Sequence, residues 1–101
     1  MSEHRATIAW TRTSADFAYE NYNRDHVWHI DGGIDVRASS APEFRGTMER
    51  VDPERALVAA LSSCHMLTFL AIAARKRLTV DSYVDEASGV MTKNAKGKLF
   101  V

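Results

Sequence analysis

The chain has 101 residues, 46% hydrophobic and 26% charged, with a single cysteine; this excludes a disordered chain and a disulfide scaffold, and fits one globular domain near the lower size limit of a self-sufficient core. Lys plus Arg equals Asp plus Glu at 13 each, which argues against nucleic acid or an anionic membrane as partner and removes charge repulsion as a barrier to self-association. The lone cysteine, and Ser2-Glu3-His4-Arg5 in place of a signal segment after Met1, lead to an expectation of the reducing cytoplasm.

In chain order, residues 5–12 alternate as a strand, with Ala6, Ile8 and Trp10 on one face and Thr7, Ala9 and Thr11 on the other. Residues 16–23 are aromatic and polar, extended or looped. A strand over His26–Ile30 is followed by Asp31-Gly32-Gly33, a hairpin signal, and a returning strand over Ile34–Ala38. Ser39-Ser40-Ala41-Pro42 breaks that pattern, and residues 43–52 read as a loop. The alternating acids and terminal Glu of a calcium loop are absent around Asp31, and His26 and His29 have no Cys or His at zinc-finger spacing, so no metal or cofactor is expected.

A long helix follows. Asp52 suits its N-cap, Pro53 its first position and Glu54 its first turn, while Arg75, Lys76 and Arg77 place positive charge at its C-terminal end. Residues 56–74 carry no formal charge over 19 positions, the lower bound for a membrane span. Ser62, Ser63, His65 and Thr68 lie mid-run, however, where a span is least polar. The expectation is therefore a core helix covered by sheet, with no membrane partner. Residues 79–92 return to strand, Asn94-Ala95-Lys96-Gly97 is a turn, and Lys98-Leu99-Phe100-Val101 opens another strand. An apolar strand at the end suggests the front portion of something longer.

Cys64 sits inside the apolar helix. A cysteine attacks only as thiolate, and mid-helix the dipole gives little help, so a cation must come from elsewhere. The nearest source is the loop Phe44-Arg45-Gly46-Thr47-Met48-Glu49-Arg50, whose arginine a carboxylate such as Glu54 would steer. His65 points about 100° away from Cys64 on a helix, which argues against a Cys–His pair. Glu54 and Cys64, ten residues apart, are separated by roughly 15 Å along the axis. If both serve one chemistry, a second copy of the chain supplies the Glu and Arg, which makes the functional unit a homodimer.

The run Asp52-Pro53-Glu54-Arg55-Ala56-Leu57-Val58-Ala59-Ala60-Leu61-Ser62-Ser63-Cys64 resembles the OsmC/Ohr peroxidases (osmotically inducible protein C and organic hydroperoxide resistance proteins), with Asn/Asp-Pro-Glu and a reactive Cys ten positions after the Glu. Phe44-Arg45-Gly46-Thr47 is similar to the OsmC-branch segment that carries the catalytic arginine. The resemblance implies an α+β fold, an antiparallel sheet wrapped around a long central helix in an intertwined homodimer, over residues 1–101 as a single domain that lacks its C-terminal part. It implies Cys64, Arg45 and Glu54 as the catalytic set, with Arg24 and Arg50 competing for the arginine's role. It further implies an organic hydroperoxide as substrate and a thiol or dithiol as reductant, in oxidative stress defence. The family's second, resolving cysteine has no counterpart here. Two functions therefore stand open: a cysteine-based hydroperoxide reductase, or a non-catalytic or redox-sensing dimeric module that binds a small apolar ligand.

Overall fold

The Asp31-Gly32-Gly33 turn folds the first half of the chain back on itself. Gly32 and Gly33 take φ of 94° and 77° there, values that a side chain adopts only under strain. A computed structural model describes residues 2–93 and 99–100, and the chain divides into two compact units, Met1–Pro53 and Glu54–Val101.

In the first unit, β1 (Ala6–Ala9), β2 (His26–Ile30) and β3 (Ile34–Ala38) form an antiparallel sheet in that order. The register places Ile8 against Trp28 and Trp28 against Val36. One face therefore carries Ala6, Ile8, Trp28, Ile30, Ile34 and Val36, the alternation expected of a half-covered sheet. β1 is shorter than the alternation predicts. At Trp10 the indole N–H leaves the pattern to donate to the Asn23 carbonyl at 2.8 Å. Asn23 then closes a loop by accepting from the Thr13 N–H at 2.8 Å and donating to the Thr11 carbonyl at 2.9 Å. The aromatic stretch 16–23 is that loop, with Trp10, Phe17 and Tyr22 clustered at centroid distances of 5.0–6.3 Å.

After β3 the backbone enters the buried part of this unit, made of Ala38, Ser39 and Ala41 together with Asp52. Ala38 bridges to Val51 in parallel; the Ser39 N–H donates to Val51 and the Val51 N–H to Arg37. Residues 39–51 thus leave and return at one place. The loop expected over 43–52 is preceded and entered by a 3-10 turn, Pro42–Phe44.

In the second unit, α1 (Pro53–Arg75) begins and ends where the capping residues predict. Its C-terminus closes as a Schellman motif: the Leu78 N–H donates to Ala73 and the Arg77 N–H to Ala74, with Arg77 left-handed at φ 59°. Glycine is the usual residue at that position, so the arginine there is an exception to the rule.

Within α1 only Ala73 is buried, and the other positions of this largely apolar helix are half-buried or exposed. One expectation needs correction. Residues 79–91 form no strand. Val84 and Val90 are strongly exposed, and without a neighbouring edge to complete a ladder their β-propensity has nothing to act on. The strand signal survives only as β4 (Thr92–Lys93), paired antiparallel with β5 (Leu99–Phe100). The turn expected over Asn94–Gly97 lies outside the described residues. Three antiparallel strands and one long helix make the fold α+β, as the sequence predicts.

Candidate functional site

Arg45 owes its place to a tightly wound loop. The Phe44 and Gly46 N–H groups both donate to the Ala41 carbonyl, and the Arg45 N–H donates to Pro42. The Ser40 hydroxyl donates to the Phe44 carbonyl at 2.9 Å. This winding forces Arg45 into the left-handed region, φ 64° and ψ 27°, which costs a residue with a Cβ about 1–2 kcal/mol. A loop that places an arginine where glycine is cheaper retains strain that its surroundings must offset, and such strain concentrates at functional positions.

The loop's far side is anchored by Asp25. Its carboxylate accepts from the Thr47 hydroxyl at 2.8 Å and pairs with the Arg50 guanidinium at 3.3 Å. Burial alone would push this carboxyl up; the Thr47 and Ser39 hydroxyls and the charges of Arg50 and Arg37 outweigh it and hold Asp25 below the ordinary carboxylate range.

The same anchoring separates the three candidate arginines. Arg50, whose side chain is 19% exposed, is tied to Asp25 and donates to the His26 carbonyl at 3.0 Å. Arg24 donates to the carbonyls of Tyr22 and Tyr19 and lies over the Tyr22 ring, 3.5 Å from its centroid. Both are structural pins. Arg45 is exposed, and among the described residues its guanidinium touches only the Tyr19 ring, 5.6 Å from the centroid.

Cys64 is an exposed free thiol on α1. The helix has a half-buried stripe at steps of four, Glu54, Val58, Ser62, Met66 and Leu70. On that side the Ser62 hydroxyl donates to the Asp85 carboxylate at 2.6 Å, and Tyr83 packs against Phe69 at 5.7 Å, so the segment after the helix straps back along it. Cys64 lies about 200° around the helix from Ser62. Its own face bears Leu57, Leu61, Cys64, Thr68 and Ala71, spaced alternately by four and three and all exposed; Leu61 is 64% and adjacent Leu67 60% exposed. Spacing of this kind, alternating four and three, is also found along packed helix seams.

Glu54 occupies the first turn of the same unbroken helix, roughly 15 Å from Cys64 along the axis. Its Oε2 is buried with no hydrogen-bond partner among the described residues, an acceptor without a donor. Glu54 and Cys64 of one helix therefore do not meet, while Arg45 belongs to the other unit. Asp25, Tyr19 and Gly46 were not evident from sequence; the only signal was the proximity of Gly46 to Arg45 in the Phe-Arg-Gly-Thr segment. No cluster of metal-ligating side chains occurs among the described residues.

A protein-family profile described as OsmC-like protein matches residues 46–99. An OsmC-like protein of unknown function from Vibrio cholerae has a solved structure that is similar over 100% of this chain and 69% of its own, at 49% identity and a TM-score of 0.92. No curated protein matches the chain.

Proposed function

The chain belongs to the OsmC-like protein family, which includes peroxidase-related members, and from that premise we propose that it is a thiol-dependent peroxidase acting on organic hydroperoxides through Cys64. The observation that carries the reading is the contrast among the arginines. Two are consumed by structural bonds, and a third, Arg45, is kept exposed at a strained position of a clamped loop. A planar guanidinium stabilises a thiolate and holds a peroxide oxygen by two donors at once.

The chemistry is a two-electron oxidation of sulfur. The Cys64 thiolate attacks the terminal oxygen of the hydroperoxide, an S–O bond forms, and the O–O bond breaks with its electron pair leaving on the alkoxide. The alkoxide takes up a proton and departs as an alcohol, and Cys64 remains as sulfenic acid. An external thiol or dithiol then reduces the sulfenic acid. Apolar side chains around Cys64, Leu57, Leu61 and Leu67, suit an organic substituent better than hydrogen peroxide.

In this reading the functional unit is a homodimer. Cys64 of one copy is faced by Glu54 and Arg45 of the other, since Glu54 and Cys64 of one helix are too far apart to share a site, and the exposed seam of α1 gains its cover from the second copy. The orphan Oε2 of Glu54 is the acceptor that would orient the guanidinium. Subunit mixing tests the whole arrangement, read as single-turnover sulfenic acid formation with tert-butyl hydroperoxide. Wild-type protein forms one sulfenic acid per chain, and Cys64→Ser and Glu54→Ala homodimers form little. A random equal mixture of the two variants restores about a quarter of the wild-type sites, because half the dimers are mixed and each holds one intact site. No recovery in a mixture that exchanges subunits would sink the shared site. A Cys64→Ser protein that consumes hydroperoxide normally would sink the peroxidase reading itself.

A further inference from the structure

The loop Asp16–Tyr22 carries a function that its aromatic composition does not announce: we infer that Tyr19 is a positioning residue for Arg45, holding the guanidinium in one orientation on the face of its ring. The inference rests on Arg45 serving the peroxide reaction. The backbone of Arg45 is fixed by its turn, but its side chain is exposed and has several free rotamers. Such an arginine loses rotamer freedom whenever it is ordered. Unless it is ordered beforehand, that loss falls on the reaction step.

Tyr19 is the one described group that Arg45 touches, at 5.6 Å from guanidinium carbon to ring centroid, within the range of a cation–π attraction. Tyr19 is 61% exposed, yet its ring is far from free. Arg24 donates to the Tyr19 carbonyl at 2.6 Å and sits 5.0 Å from the same ring centroid. Tyr22 meets Tyr19 edge-on at 6.4 Å, and Phe17 and Trp10 hold Tyr22 in turn. The Asn21 and Tyr22 N–H groups both donate to Ala18, which fixes the turn that presents Tyr19. A hydrophobic cluster thus carries an exposed tyrosine at its rim, and that tyrosine is the contact the described residues give the Arg45 guanidinium. Burial does not explain this ring. Its neighbour does.

The test is a double-mutant cycle on the rate constant of sulfenic acid formation with tert-butyl hydroperoxide. Tyr19→Ala and Tyr19→Leu are expected to slow the reaction about five- to thirty-fold, the equivalent of a cation–π contact of intermediate strength. Tyr19→Phe, which keeps the π face and loses only the hydroxyl, is expected to stay within about two-fold of wild type. In an Arg45→Ala background, Tyr19→Ala is expected to have no further effect, because its action passes through the arginine. Tyr19→Ala and Tyr19→Leu at the wild-type rate, alongside a slow Arg45→Ala, would overturn the positioning role and leave the peroxidase reading intact. A further slowing of Arg45→Ala by the same factor would reduce Tyr19 to a structural residue. Arg45→Ala at the wild-type rate would remove the premise itself.

Discussion

Gly46→Ala is the sharpest single perturbation of the loop that carries Arg45. A Cβ at Gly46 would stand 1.6 Å from the Ser40 carbonyl oxygen and 2.3 Å from its carbon, both backbone atoms. Ordinary contact begins near 3.4 Å, so the two segments must part by roughly 1.8 Å, beyond what flexing a side chain can absorb. That displacement breaks the Gly46 N–H bond to Ala41 at 3.1 Å and the Ser40 hydroxyl bond to Phe44 at 2.9 Å. It also breaks the 3.3 Å bond from the Thr47 N–H to the buried Ser39 hydroxyl. At about 1 kcal/mol net for each bond, the loss is about 3 kcal/mol. For a domain of this size that lowers the melting temperature by roughly 12–24 °C at fixed protein concentration. Activity falls further than stability, because misplacing Arg45 by about 1 Å is enough to slow a positioned reaction on the order of 100-fold. The assays are thermal unfolding by circular dichroism, and sulfenic acid formation at a temperature where both proteins are folded. Gly33→Ala is the control: nothing lies within 4 Å of its added Cβ, and only φ of 77° opposes it, so it should lose about 1–2 kcal/mol and keep its reaction rate. A Gly46→Ala protein that melts within a few degrees of wild type and reacts at the wild-type rate would refute the steric argument.

Two further predictions concern the same loop. Arg45→Gly should melt at or slightly above the wild-type temperature while losing peroxide reduction, since glycine takes φ 64° without the penalty of about 1–2 kcal/mol, partly offset by about 0.4–1 kcal/mol of added unfolded-chain entropy; a drop of several degrees would show that the left-handed arginine stores no strain. The depressed Asp25 carboxyl contributes stability that is complete above its unfolded value near 3.8 and fades as the pH falls through the lower folded value. Asp25→Asn should therefore be less stable than wild type at pH 7, with the gap closing in acid titrations below pH 3.8; a gap independent of pH would assign the effect to packing instead.

The hairpin and α1 were legible in the sequence for local reasons. Gly32 and Gly33 supply the backbone freedom of the turn, the alternation of Val27, Trp28, His29 and Ile30 fits a pleat, and Asp52-Pro53-Glu54 is a helix-start pattern set by neighbours in the chain. The same locality put Cys64 and Glu54 ten residues apart on one helix, and with them the argument that they do not meet within a copy. Where an outcome depends on a partner distant in sequence, local pattern misled or fell silent. Residues 79–91 have strand-like composition and no ladder to join, while β1 ends early because the Trp10 indole is claimed by Asn23.

The Phe44-Arg45-Gly46-Thr47 resemblance put Arg45 ahead of Arg24 and Arg50, but only the tertiary structure shows how their surroundings differ. Three arginines are equivalent as letters; they differ because Asp25, 25 residues before Arg50, and the carbonyls of Tyr19 and Tyr22 take up two of them. Likewise, Gly46 looks like any loop glycine until Ser40 folds against it and leaves no room for a methyl group. Chain-local rules set φ, ψ and the face a side chain takes. Which donor finds which acceptor is decided by packing, because a buried polar group must be paired by whatever the fold brings within reach.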